Sequence, residues 1–588
     1  MKTYSVRTST PEDVKAALKS YDPLLQDLLY VRGITTLALA DAFLNPDYVK
    51  HIHDPYLLKD MDKATKRIVK AFKHNEKIGI FSDYDADGIP GAVVLSDFFK
   101  KIGYDNFLVY IPHRNDEGYG MNIEALEKIA AEDVKLVITI DCGISNTLEV
   151  DKANKLGMDV IITDHHLPKE KLPKAFAIIN PKQVDCTYPD KNLCGSGVVW
   201  KLITALMQTD YSKKLNIQTE EKTGKKLFQD GYEKWLLDMV GLATLSDMVP
   251  LIGENRVIAS YGLVVMRKSP RPGLHKLFSI LKVRQQDITE DDIGFLITPR
   301  INAASRMGHP KEAFDMLSST DVVEAGVMAE HLNTINDERK GVVGSMVREI
   351  KKTISERSDA LRNVIVLGNP EWKPSLLGLV ANSFSDEHNR PVFLWGRDTS
   401  TAEGGVAMIK GSCRSGGDVN IFKLMEHASD ILAEYGGHKQ AGGFSITQDN
   451  IDLLEDRLNL AYDELVKSGG EDESIYIDKN LVMENVDWRL YSNIEKLAPF
   501  GMDNPKPLFM FENSEILSSK QFGKEKNHLE ITFKNTKGRP VTAIAFFCTP
   551  EKFVAKLDMG NKVTVVAHVE KSTFRNFPEL RLRIVDIV

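Results

Sequence analysis

Between residues 77 and 180, short apolar runs recur, and each ends in polar or charged residues. IGIF (78–81) leads into SDYDADG, FLVYI (107–111) into PHRNDEGYG, LVITI (136–140) into DCGIS, DVIIT (159–163) into DHH and FAII (176–179) into NPKQ. Helical stretches such as GAVVLSDFFKKIG and TLEVDKANKLG lie between them. Short runs of β-branched and aromatic residues alternating with helices predict βαβ units around a parallel sheet buried on both faces. Such sheets bind ligands at the carboxyl ends of their strands, where these polar tails sit, so the carboxylates are expected to converge.

Farther along, GYEKWLLDMVGLATLSDMVPL (231–251) has the spacing of a helix ending near Asp247 and Pro250. Residues 321–354, charged and free of proline, predict one long helix connecting two domains. A second mixed segment follows, with strand VIVLG (364–368), a helix near LLGLVANSF, strand PVFLW and the glycine-rich EYGGHKQAGGF (434–444). Beyond SGGEDES (468–474), the alternating runs HLEITF, VTAIAFF, KVTVVAHV and LRLRIVDIV suit a β-barrel of the OB type, a common platform for single strands. On that platform Phe574 and Arg575 are candidates to stack on and track a strand, with burial in the barrel core as the equal alternative for Phe574.

A length of 588 residues suggests three or four folding units at about 150 residues each. With 43% hydrophobic and 27% charged residues, disordered, collagen-like and coiled-coil classes drop out. No apolar run approaches the roughly 18–20 residues that span a bilayer, and the N-terminus lacks a signal-peptide core, so a cytoplasmic protein with no membrane partner is expected. Five scattered cysteines without a C-x-x-C pair read as reduced thiols. A net charge of −8 repels a polyanion in bulk, so nucleic-acid binding requires local basic surfaces or metal ions.

Asp83, Asp85 and Asp87 follow a buried strand directly, and three carboxylates within five residues repel one another unless cations neutralise them. A calcium loop counted from Asp83 would need Glu at its twelfth position, where Val94 stands. Asp141 ends the third run, and Asp164-His165-His166 offers mixed oxygen and nitrogen ligation that favours Mn²⁺ over Ca²⁺. Asp247 at a helix C-terminus opposes the dipole, which a bound cation would offset; Asp238 reads as structural or solvated. Five or six carboxylates with one or two histidines suffice for a two-metal phosphoryl-transfer site. No Walker A, G-x-S-x-G, H-E-x-x-H or strand-following G-x-G-x-x-G motif competes.

DYDADG, DCG after a strand, DHH and the aspartate of SDMVPL together resemble the four motifs of the DHH phosphoesterases. IPHRNDEGYGMN, PRINAASRMG, LNTINDERK, GSCRS and LAPFGMDNPKP are similar to segments of the bacterial single-strand exonucleases of that family, in order, from about residue 30 to the C-terminus. The resemblance implies an α/β protein with a parallel-sheet DHH catalytic domain and N-terminal segment (1–320), a connecting helix (321–354), a smaller α/β DHHA1 domain (355–470) and an OB-type barrel (475–588). It implies 5′→3′ degradation of single-stranded DNA to mononucleotides with two Mn²⁺ or Mg²⁺ ions, in repair or recombination, beside a single-strand-binding protein or a helicase. Carried over by residue, Asp83, Asp85, Asp141, His165 and Asp247 resemble metal ligands; His166, Asp164 and Asp87 resemble catalytic groups. Arg114, Arg306, Ser412, Arg414, Gly437 and His438 resemble nucleic-acid contacts. Lys373 and Ser375 stand where the pattern has His and Gly, and Ser305 replaces a Gly. The alternatives are a DHH phosphoesterase for short oligonucleotides or cyclic dinucleotides, against which the C-terminal barrel argues, and an inactive DHH scaffold, against which the complete set of motif carboxylates argues.

Overall fold

The computed structural model describes residues 3–356, 361–397, 408–417, 419–467, 474–572 and 577–588. They fall into two compact units, one of residues 53–249 and 261–472, the other of residues 1–52, 250–260 and 473–588.

In the first unit a wholly parallel sheet has the spatial order Phe107–Tyr110, Lys77–Ser82, Val134–Ile140, Asp159–Thr163, Ala177–Ile179. These are the five apolar runs, to within two residues at each end. Ile78, Ile80, Leu136, Ile138 and Ile161 are fully buried, as a sheet covered on both faces requires. In sequence order the strands run 2-1-3-4-5, so the topological switch point lies between Lys77–Ser82 and Val134–Ile140.

The long helix, Val322–Glu356, packs near its start on helices Pro272–Leu281, Thr298–Met307 and Lys311–Ser318. Toward its end, Met346 and Ile350 enter the core of a second sheet with Leu376 and Val380 of helix Pro374–His388. That sheet is mixed: Ile365–Gly368 pairs in parallel with Val392–Arg397, and Met408–Arg414, Ala441–Thr447 and Leu432–Gly437 add antiparallel strands. The stretch expected as one helix at 231–251 divides into Tyr232–Trp235 and Leu237–Ser246.

In the second unit, strands Phe509–Phe522, His528–Phe533, Val541–Ala545, Glu579–Ile587 and Lys562–Ser572 close into a barrel through pairing of the first with the last. The grouping of residues 1–320 differs from the expected one. Strand Thr3–Val6 pairs with Ser474–Ile477, and Leu18, Leu25, Leu28 and Leu29 share a core with Phe509, Phe511, Ile531 and Val565 of the barrel. Arg256 stacks on Phe43 and donates to the carbonyls of Leu497 and Ala498, which ties residues 250–260 to the same unit. Helices this short are marginal alone and are stable where their apolar face is covered. Among the described residues no helix is long and apolar enough to cross a membrane, and the five cysteines are buried free thiols.

Candidate metal centre and its cleft

Three adjacent strands of the parallel sheet, Lys77–Ser82, Val134–Ile140 and Asp159–Thr163, each end in one more ladder bond before the chain turns away. Asp83 N donates to Ile140 O (3.0 Å), Asp141 N to Thr163 O (3.0 Å) and Asp164 N to Ile179 O (3.1 Å). Three aspartates thus stand side by side at the carboxyl edge. Asp141 has φ 59°, a left-handed backbone that is uncommon outside glycine and that recurs where a site holds strain. Asp85 Oδ1 accepts from the amides of Asp87 (2.8 Å) and Gly88 (3.1 Å) as helix Gly88–Lys101 begins. Asp87 accepts from the amides of Gly195 (2.6 Å) and Ser196 (2.7 Å), the first residues of helix Gly195–Met207, whose positive end suits a carboxylate. Only glycine fits at 195, because a Cβ there would lie 2.5 Å from Asp141 Cβ. Asp247 caps the C-terminus of helix Leu237–Ser246.

The side chains meet at His165. Its Nε2 is 3.1 Å from Asp141 Oδ1, 3.6 Å from Asp247 Oδ2 and 3.8 Å from Asp87 Oδ2, without a hydrogen bond. Burial, reinforced by neighbouring carboxylates, lifts Asp83 and Asp141 well above the ordinary carboxylate range, Asp87 to about 6 and Asp247 to about 9. Burial and the adjacent His166 push His165 down to about 3, which keeps a neutral imidazole of the kind that ligates metals. Asp164 behaves oppositely. Burial favours its neutral form, but hydrogen bonds from His166 Nδ1 (2.8 Å) and from the amides of His165, His166 and Ile144 outweigh it and hold the carboxyl low.

The donors present fit divalent cations. Asp83 Oδ1, Asp141 Oδ1 and His165 Nε2 are buried polar atoms without hydrogen-bond partners, a costly state that an ion relieves. Asp83, Asp85 and Asp141 form one group of three donor atoms within 4.8 Å, and Asp87, His165 and Asp247 form another. Adjacent ligands of an octahedral ion at about 2.1 Å stand about 3.0 Å apart, close to the 3.1 Å between Asp141 and His165. Asp141, His165 and His166 form a third such group, so the first two adjoin.

A cleft of about 1260 Å³ in the same unit is lined by Arg114, Ser412, Arg414 and Gly437, and by Lys373 and Ser375, where the chain departs from the family pattern. Arg414 Nη1 donates to Ser412 Oγ (3.1 Å), and the Arg114 guanidinium lies 4.8 Å over the Tyr84 ring. Arg306 is placed behind the lining, donating to Ser375 O while Ser375 Oγ donates to Arg306 O (3.0 Å). Burial and the guanidiniums of Arg114, Arg339 and Arg414 push Arg306 down to about 9. His438 is exposed at the hairpin turn, its amide donating to Ala441 O. Ser305 is buried, its Oγ bonded to Asn302 O. Asp238 is structural: it is 2% exposed, paired with Arg271 Nε (2.8 Å) and Ser269 Oγ (2.6 Å). Phe574 and Arg575 lie outside the described residues; on the described barrel Arg583 lies 4.1 Å over Phe546, beside an exposed Phe547.

Sequence reasoning missed Tyr119, whose hydroxyl donates to Asp141 O (3.0 Å) and lies 3.2 Å from His166 Nδ1. It also missed the amides of Gly195 and Ser196, for which the small residues opening a helix were the available signal, and Lys182, a half-buried cation facing Asp247.

A parallel sheet with two carboxylate-rich donor groups at its switch point, joined by a long helix to a second α/β domain, defines a phosphoesterase of the DHH class. The family models agree: residues 77–227 match the DHH family, N-terminal domain, 361–464 the DHHA1 domain and 477–586 the RecJ OB domain. The chain is 33% identical to the single-stranded-DNA-specific exonuclease RecJ of Bacillus subtilis over 96% of its own length and 68% of that protein. It is 30% identical to the enzyme of that name from Haemophilus influenzae, over 90% of both. The crystal structure of RecJ from Thermus thermophilus in complex with Mn²⁺ superposes with a TM-score of 0.79 at 25% identity, over all of this chain and 79% of that one. The chain belongs to the RecJ family.

Proposed function

We propose that the chain is a metal-dependent exonuclease that removes mononucleotides from the 5′ end of single-stranded DNA. The observation that carries this reading is the pair of adjoining donor groups beside a cleft walled by Arg114, Ser412 and Arg414. Asp83, Asp85 and Asp141 would hold one Mn²⁺ or Mg²⁺, and Asp87, His165 and Asp247 the other. Bound there, the ions would activate water and stabilise the leaving oxygen of an in-line displacement at phosphorus.

The chain's own residues orient the reaction. Asp164 engages Nδ1 of the half-exposed His166, which leaves Nε2 as its outward group, a donor suited to an oxygen of the scissile phosphate. The Tyr119 hydroxyl touches both the Asp141 carbonyl and the same Nδ1, which links the His166 ring to the backbone of Asp141. Arg114 and Arg414, with Ser412 and with Arg306 behind them, suit a terminal phosphate, for which a guanidinium supplies paired donors. At Gly437 a Cβ would lie 2.4 Å from Ala441 O, so the glycine permits the tight turn of the cleft wall. The specificity of the relatives for single-stranded DNA supports the substrate class. Such strands must be exposed before they are cut, so the reading includes action in the cytoplasm together with a helicase or a single-strand-binding protein, in repair or recombination.

The test is a comparison of substrates at equal nucleotide concentration with Mn²⁺: a long single strand, a blunt duplex and a dinucleotide. The long strand is expected to be consumed fastest and the duplex to resist. Faster turnover of the dinucleotide would move the chain to the small-substrate DHH phosphoesterases, and binding without hydrolysis would make it a scaffold.

A further inference from the structure

Lys373 is exposed and lines the cleft immediately before helix Pro374–His388. Its carbonyl accepts from the Leu376 amide (3.0 Å), and among the described residues its ammonium has no hydrogen bond and no ion pair. The chain on either side of it is fixed: Trp372 is buried with its Nε1 on Glu349 Oε2 (3.0 Å), and Ser375 exchanges hydrogen bonds with Arg306. The other charged side chains lining the cleft are Arg114, Lys410 and Arg414 against Asp116 and Glu434, with His113 and three tyrosines as the remaining titratable groups of the lining. Asp116 is itself engaged, 2.5 Å from His113 Nδ1. The cleft therefore carries an excess of positive charge in a chain whose net charge is −8.

We infer that Lys373 binds an internucleotide phosphate of the strand, beyond the terminal phosphate held by Arg414; this rests on the single-strand reading above. A Cβ at Gly378 would lie 2.7 Å from Arg414 Nη2, so the guanidinium sits beside that turn of the helix. Five residues separate Gly378 from Lys373, roughly 7.5 Å along a helix axis, about one nucleotide of extended strand. An ammonium is a point charge without a fixed fork, so it takes a phosphate whatever base is attached. Lys373 accordingly contributes to affinity and not to the chemical step.

The experiment uses the full chain with Mn²⁺ and a 5′-phosphorylated oligothymidylate, measuring KM and kcat across a series of salt concentrations. Lys373→Gln is expected to raise KM about fivefold or more at low salt with kcat unchanged, and to reduce the slope of log KM against log salt by about 0.7, the share of one phosphate on a single strand. Lys373→Arg should restore both. Lys373→His should match the unsubstituted chain at pH 6 and fall to the level of Lys373→Gln at pH 8, because imidazole loses its charge between them. The other titratable groups of the cleft are common to all variants, so the ratio to the unsubstituted chain isolates position 373. Unchanged KM and slope in Lys373→Gln, or equal loss of kcat in all three variants, would overturn the inference. If the unsubstituted chain does not process single strands at all, the functional reading fails instead.

Discussion

Replacing Asp247 by Asn is expected to abolish hydrolysis and yet stabilise the metal-free protein. Burial and the neighbouring Asp87 and Asp85 push the Asp247 carboxyl from the usual 3.8 up to about 9. At pH 7 the folded, metal-free chain thus holds a proton that the unfolded chain releases, a cost of about 4 kcal/mol at 1.36 kcal/mol per unit. Part of that cost is shared with Asp87, which titrates in the same cluster, so the gain from Asn is taken as about 2–4 kcal/mol. At about 2–4 °C per kcal/mol the unit should melt roughly 5–10 °C higher. The sign follows from linkage. For an acid raised in the fold there is no penalty below its unfolded pKa, and stability is lost as pH rises through the folded value. The gap between Asp247→Asn and the unsubstituted chain should therefore open above pH 4 and level off near pH 9. Thermal melts in EDTA, followed by the fluorescence of tryptophans such as the buried Trp200, measure it. Mn²⁺ should reverse the order, stabilising the unsubstituted chain most. A variant less stable than its parent at pH 8 without metal, or a gap independent of pH, would refute the reasoning.

Gly195→Ala places a Cβ 2.7 Å from Asp141 Oδ1 and should weaken Mn²⁺ binding about tenfold or more by calorimetry, at a stability cost of about 1–3 kcal/mol; unchanged affinity would count against the site. Tyr119→Phe removes the contact shared by Asp141 and His166 and should lower kcat about tenfold with KM little changed, a split that steady-state kinetics reads. Asp238→Ala strips one carboxylate from Arg271 and should cost about 3–5 kcal/mol in stability while Mn²⁺ affinity holds; the reverse pattern would make Asp238 part of the metal centre. Arg414→Ala should shrink the advantage of 5′-phosphorylated over 5′-hydroxyl strands without touching metal affinity, and equal slowing of both would remove it as the end sensor.

The parallel sheet was legible because a strand buried on both faces leaves an uninterrupted apolar run, and the acidic residues that close those runs necessarily fall on one edge. The partner of the N-terminal segment was not legible. Periodicity tells that Leu25, Leu28 and Leu29 share a face, but not that Phe509 and Phe511, nearly the length of the chain away, cover it. Strand Phe509–Phe522 escaped notice because its register shifts between Phe511 and Ser514, which breaks the alternation that marks a strand. Within the site, charged residues announced themselves by their cost, whereas Tyr119 sits in a glycine-containing loop and acts through one hydroxyl, and the amides of Gly195 and Ser196 are marked only by the small residues that open their helix. Ser375 shows the same limit: read as a departure from the family pattern, it exchanges hydrogen bonds with Arg306.

The central claim is that two adjoining donor groups hold the ions with which this chain cuts single strands from the 5′ end. One single-stranded oligonucleotide labelled at its 5′ end and another labelled at its 3′ end, digested over time by the EDTA-treated protein with and without added Mn²⁺, test it most directly. No product is expected without metal and, with Mn²⁺, the 5′ label should be released at once as a mononucleotide while the 3′ label stays on a progressively shorter strand. Release of the 3′ label first, or equal digestion in EDTA, would contradict it.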